Sequence, residues 1–158
     1  MVDLKIGSKR TRASELDDAL VLFHFAFRRL IEGADRVLAA HGLGRAHHRI
    51  LHFIARRPGL CVNQLLDDLH VTKQALHGPL GRLVQGGWVR AKRSQEDARV
   101  KELHLTTRGA ELASRLMSLQ RATVARAFEE AGPRAESAWR AVMARLVGDL
   151  PEGPLGGF

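Results

Sequence analysis

Apolar residues recur at helical spacing from Leu16 through Leu20, Phe23, Phe27, Leu30/Ile31 and Ala34 to Leu38, the stripe of one long helix. Ser14 has the chemistry of its N-cap, followed by Glu15, Asp17 and Asp18 where the helix dipole favours anions. Gly42 supplies the C-terminal stop. Such a helix, of about 26 residues and about 39 Å, is long for a small domain and implies a packing partner beyond the local core. A second helix is predicted from Arg45 to Arg57 around Ile50, Leu51, Phe53 and Ile54, ended by Pro58-Gly59. Leu60-Cys61-Val62 reads as one short strand. Asn63 then caps a short helix, Gln64 to Leu69, and Thr72 caps another, Lys73 to Gln85, across the tight link His70-Val71. Two short helices joined this way form a helix-turn-helix.

After Gly86-Gly87 the period changes. Trp88 to Arg93 and Val100 to Leu105 read as the strands of a hairpin with a polar tip. Thr106 caps a long helix, Thr107 to Glu130, with Leu112, Leu116, Leu119, Thr123 and Ala127 on one stripe. Ala131-Gly132-Pro133 breaks it. Pro133 opens a last helix striped by Trp139, Val142, Met143, Leu146, Val147 and Leu150. The predicted class is mainly α with a small β-hairpin wing: a winged helix-turn-helix flanked by long dimerisation helices. The expected division is a basic arm at 1–13, helices at 14–42 and 107–150 suited to dimerisation, a winged helix-turn-helix at 43–106 as the candidate DNA-binding domain, and a loose Gly/Pro-rich tail at 151–158. The outer helices carry more apolar stripe than the small middle can cover, and a homodimer is the expected use.

Composition sharpens the partner. The 158 residues carry a formal charge of +8, which favours a polyanion. An apolar share of 45% supplies a real core. One cysteine, Cys61, excludes an intrachain disulfide framework and an all-cysteine zinc site. No apolar run approaches a membrane span and the first residues lack a secretory core, so a cytoplasmic location without membrane contact is expected.

On the helix from Lys73, a turn of about 100° per residue gathers Leu76, Leu80, Leu83 and Val84 toward the core. Gln74, Gly78, Gly81, Arg82 and Gln85 fall opposite, flanked by His77, with Thr72 and Lys73 at the entry. Glutamine suits adenine edges, while lysine and histidine suit guanine acceptors or phosphate. The expected duplex contacts are Thr72, Lys73, Gln74, His77 and Arg82, joined by Lys92, Arg93, Asp97 and Arg99 on the hairpin. Glycine inside a helix costs about 1 kcal/mol against alanine, and close approach to DNA is a reason to keep Gly78 and Gly81. Pro79 predicts a kink or a helix entered late. At the hairpin tip Asp97 and Arg99 share one face of an extended strand. There the carboxylate can hold the guanidinium in a fixed pose for a narrow minor groove.

The pieces Pro58-Gly59, Leu65-Leu66, Val71-Thr72, Leu83 with Gly86-Gly87, and Asp97-Ala98-Arg99 leading to Leu105-Thr106-Thr107-Arg108-Gly109 resemble the multiple antibiotic resistance regulator (MarR) family of transcription factors, over about residues 20 to 125. The resemblance implies a homodimer held by the first and last helices, recognition helices in successive major grooves and wings in minor grooves. It makes Arg99 the minor-groove residue and Asp97 its orienter. It also implies repression, often relieved by a small phenolic or lipophilic ligand. Two departures stand out: Ala98 where the family often has a second arginine, and His77-Gly78-Pro79 within the reading helix.

Phe23, His24, Phe27 and Phe53 are the residues expected to line an effector pocket, although an aromatic stripe at this spacing also serves as plain core. His48 and His52 stand four apart with His41 and His47 near, but no matching histidine or cysteine pair follows, so no metal is expected. Cys61, between Leu60 and Val62, reads as a small buried hydrophobe. Gly42-Leu-Gly-Arg-Ala-His follows a helix and lacks the third glycine of a phosphate loop, and no nucleophile motif surrounds any Ser or Cys61. Neither an enzyme nor a cofactor is expected. The alternative from another class is a winged-helix module for protein interaction without DNA.

Overall fold

A computed structural model describes residues 10–95 and 99–148. The order is α1 (Arg12–Ala40), α2 (Arg45–Arg56), α3 (Val62–Leu69), α4 (Lys73–Gln85), β1 (Val89–Arg93), β2 (Lys101–Leu105), α5 (Thr107–Ala131) and α6 (Pro133–Val147). The cap of α1 is Thr11, not Ser14. The Thr11 side chain accepts from the Ser14 amide at 3.2 Å, so the helix starts three residues before the expected acidic turn. It ends where predicted, with Gly42 at φ +65°.

The core joins the C-terminal half of α1 (Ala34, Leu38), α2 (Ile50, Leu51, Ile54), α3 (Leu65, Leu69), α4 (Leu76, Leu83), Trp88 and Val89, Leu103, and the first turns of α5 (Leu112, Leu116). The strand expected at Leu60-Cys61-Val62 shrinks to one bridge, Cys61 with Glu102. The Leu60 carbonyl accepts from the Leu103 amide, and the Leu103 carbonyl accepts from the Gly59 amide, both at 2.9 Å. The segment is shorter than expected because α3 begins at Val62. Cys61, not Asn63, is its N-cap, and the Cys61 amide donates to Gln64 Oε1 at 2.8 Å. Cys61 is therefore half-buried rather than buried.

Helices α3 and α4 meet through His70, in the left-handed region at φ +50°, then Val71 and the cap Thr72. The Thr72 hydroxyl accepts from the Ala75 amide at 3.2 Å. Helix α4 is continuous from Lys73 through Pro79 and is not entered late. The proline removes one donor, and Ala75, whose carbonyl would have taken that bond, sits on the exposed side. Leu76 and Leu83 are buried as predicted, Leu80 is half-buried, and Val84 is 41% exposed rather than part of the core.

The hairpin pairs Val89 with Leu105, Arg90 with His104, Ala91 with Leu103, Lys92 with Glu102 and Arg93 with Lys101. Trp88 precedes the strand and is buried. It anchors a knot. The Trp88 ring lies under the Arg108 guanidinium at 3.6 Å and meets His41 edge-on, while Arg108 donates to the Gly86 carbonyl at 3.0 Å. The cap Thr106 donates to the Gly87 carbonyl at 2.7 Å and accepts from the Gly109 amide.

The outer helices behave differently. In α1 burial begins only at Ile31. Leu16, Leu20, Val21, Leu22, Phe23, Phe25 and Phe27 are all exposed, and α6 buries nothing. The α5 stripe also divides, with Leu112 and Leu116 buried but Leu119 exposed.

Candidate nucleic-acid interface

Thr72, Lys73, Gln74, Ala75, His77 and Gly78 form an exposed run at the start of α4. A Cβ built on Gly78 or Gly81 meets nothing within 4 Å. Packing inside the chain therefore does not require these glycines, whereas a surface approaching from outside would find a low ridge there. The first turn of α4 also presents helix N-terminal amides and no acidic residue, a setting that favours phosphate.

Lys92, Arg93 and Arg99 are exposed on the hairpin, and Asp97 lies outside the described residues. Lys92 faces Glu102 across the strands, whereas Arg93 faces Lys101, a pairing of like charges that an approaching polyanion would relieve. Arg82 is exposed as well, further along α4. Its Nη2 lies 3.0 Å from where a Cβ would sit on Gly42, at the turn between α1 and α2. The Arg82 side chain thus leans toward the exposed turn between α1 and α2.

Sequence reasoning missed Glu102 and His104. His104 Nε2 lies 3.3 Å from Glu102 Oε2. Hydrogen bonds from Ser94 and His104 hold the Glu102 carboxyl below the usual carboxylate range. Alternation within the strand was the available signal, but the cross-strand register that joins these residues to Lys92 and Arg90 depends on the turn.

The four residues expected around an effector are not gathered. Phe23, His24 and Phe27 lie on the exposed half of α1, and Phe53 packs against the core from α2. None lines either of two open grooves. One, of about 760 Å³, runs between α5 and α6 along Val124, Phe128 and Arg140. The other, of about 440 Å³, lies between α2, the hairpin root and α5. Its apolar floor includes Ile54, Pro58, Leu105 and Met117, and Arg90, His104 and Arg121 also line it.

No group of three or more histidine, cysteine or acidic side chains that could hold a metal occurs among the described residues. The α2 histidines favour their neutral forms. His47 is lowered by burial and then by Arg82, His48 by burial and then by His52, and His52 by burial and then by Arg56. His47 also caps its helix, with Nδ1 accepting from the Gly44 amide at 3.0 Å. A folded-state pKa below the unfolded value means the native state binds fewer protons. The stability these histidines contribute is complete above their ordinary value of 6.5 and is lost as pH falls from there through the lowered folded values. Melting temperature is expected to drop between pH 7.5 and 5.5 (about the range of histidine titration), and less so in His48→Gln/His52→Gln. An unchanged melting temperature would refute the linkage.

A helix-turn-helix with an exposed, glycine-bearing second helix, followed directly by a basic two-stranded wing, defines a winged-helix DNA-binding protein of the transcription-regulator class. Sequence comparisons support this class, and solved structures share the fold. Residues 41–100 match the model of the MarR family. The HTH-type transcriptional regulator PetP of Rhodobacter capsulatus is 39% identical over 133 residues, covering 84% of this chain and 80% of that protein. The crystal structure of Streptococcus pneumoniae FabT in complex with DNA superposes with a TM-score of 0.74 at 18% identity, over 85% of this chain and 94% of that one. Mycobacterium tuberculosis Rv2887, in complex with p-aminosalicylic acid, superposes at 0.58 with 24% identity, over 81% and 97% of the two chains. The chain belongs to the MarR family of transcriptional regulators.

Proposed function

We propose that the protein is a homodimeric repressor that binds a pseudo-palindromic operator and is released by a small acidic, lipophilic or phenolic effector. The observation that carries the DNA reading is the exposed start of α4, Thr72 to Gly78, standing beside a hairpin rich in cations. Lys73, Gln74 and His77 take the major groove and Arg99, aimed by Asp97, the minor groove. Helices α1, α5 and α6 form the dimer, setting the half-sites about one helical turn, roughly 34–36 Å, apart. The effector reading rests on the groove at the hairpin root, where an apolar floor meets Arg90, His104 and Arg121. That combination suits a compact body bearing one acid group, as in the ligand of the Rv2887 complex.

A salt titration of operator binding, with the duplex selected from a random pool, tests the DNA reading. Affinity is expected to fall steeply with salt through counterion release. Arg99→Ala is expected to weaken binding by about 1–3 kcal/mol. An Arg99→Ala protein that binds as tightly as the wild type would remove the wing from the interface. Absence of duplex affinity at low salt would favour a winged-helix protein-interaction module instead.

A further inference from the structure

The wing has to hold its tip steady while its own strands are only five residues each. A two-stranded ribbon of that length is marginal by itself. What fixes its far end is local. The Ser94 amide donates to the Val100 carbonyl at 2.9 Å, the last main-chain bond described before the tip. The Ser94 side chain donates to Glu102, which is also within reach of His104 Nε2 at 3.3 Å. Among the described residues, Glu102 is thus the carboxylate joining the outer end of β1 to the inner half of β2. Its backbone is tied down as well, bridging to Cys61. His104 rests against Gly59, where an added Cβ would come 3.5 Å from its Cε1. A chain of contacts therefore runs from the loop after α2, through His104 and Glu102, to Ser94 at the base of the tip.

Charge sharpens the point. Glu102 sits within a surface expected to meet phosphate, and Lys92 faces it across the ladder. An acidic side chain in such a position opposes DNA binding by its charge alone, so it needs a positive role. We propose that Glu102 is a positioning residue for the wing, holding Ser94 and with it the tip that carries Arg99, and that His104 braces it from the groove wall. This goes beyond the DNA-binding reading and rests on it only for the effect on affinity.

The test uses the full-length protein and reads the two claims separately. Hydrogen exchange of the wing peptide 94–100 is compared in wild type, Glu102→Gln and Glu102→Ala, with α4 peptides as the internal standard. Loss of the Ser94 tether is expected to speed wing exchange about tenfold in Glu102→Ala while α4 stays protected. Operator affinity is expected to fall about tenfold in the same variant although a negative charge has been removed. Glu102→Gln, whose amide oxygen still accepts from Ser94, is expected to recover most of both effects. His104→Ala is expected to fall between. Unchanged wing exchange in a folded Glu102→Ala protein, or a wing and α4 that loosen together, overturns the proposal. So does tighter operator binding by both Glu102 variants, since charge would then be the whole effect. If wing exchange responds while Arg99→Ala binds normally, the positioning role stands and the minor-groove reading of the wing fails.

Discussion

Gly109→Ala is expected to cost about 3 kcal/mol or more, at the upper end of overpacking effects, and to leave a chain whose wing is no longer seated on α5. A Cβ at this position would lie 1.9 Å from the Trp88 carbonyl oxygen and 2.9 Å from its carbon, where real contacts are not found below 3.0 Å. The obstacle is backbone, and it cannot swing away. The same oxygen accepts from the Thr106 amide at 3.1 Å, and the Trp88 ring is held between Arg108 and His41. Relief therefore means moving the first turn of α5 away from the start of the hairpin, which breaks the Thr106 cap. Intrinsic propensity pulls the other way, since alanine is better than glycine in a helix by about 1 kcal/mol, but the clash is the larger effect. Gly81→Ala is the control. It too lies in a helix, yet its added Cβ meets nothing within 4 Å, and it should raise stability by about 1 kcal/mol. Chemical denaturation of both variants checks the pair. Equal stability of Gly109→Ala and wild type would show that the α5 start is not fixed as described. If Gly81 exists to admit DNA, its alanine variant should be more stable and bind the operator more weakly.

The contrast between these glycines shows what periodicity can and cannot carry. The spacing of Leu76 and Leu83, the caps Thr72 and Thr106, and the Gly86-Gly87 and Gly132-Pro133 breaks were legible because each is local: a side chain, its own amide and a fixed number of residues. Gly109 stood inside the family motif, but its reason is a contact with Trp88, twenty-one residues earlier in the chain, and no local pattern encodes that. The same holds for Arg82. Its angle on the helix wheel gave the exposed face on which it lies, but not its approach to Gly42 in the turn after α1. Val84 failed in the opposite sense, because a wheel gives direction without saying how far the core extends. Cys61 replaced Asn63 as the α3 cap because the Gln64 side chain satisfies the entering amide, so a residue with a weak cap chemistry could hold the position.

Phe23→Asp/Phe27→Asp is expected to convert a dimer into a folded monomer. In the single chain Leu16, Leu20, Phe23 and Phe27 form an uncovered stripe on α1, with Leu20 at 69% and Phe23 at 54% exposure. Trp139, Val142, Leu146 and Val147 are exposed on α6 in the same way. A half-exposed large side chain offers roughly 100 Å², so these faces supply roughly 800 Å² per subunit, which is what each partner of a stable interface of about 1,600 Å² in total contributes. Monomeric proteins rarely leave a stripe of large apolar side chains such as that on α1 open to water. Burial in α1 begins only at Ile31, so charges at 23 and 27 do not touch the core of the winged helix, and the monomer should keep its fold. DNA binding should suffer more than any single contact explains. Two recognition helices on one dimer gain from effective concentration, and separating them is expected to weaken full-operator binding by about 10²–10⁴-fold. Affinity for an isolated half-site should be nearly unchanged. Light scattering at micromolar concentration gives the mass, and titration of full and half-site duplexes gives the ratio. A wild-type monomer, a double variant that remains dimeric, or equal losses on both duplexes would each contradict the assignment of α1 to the subunit interface.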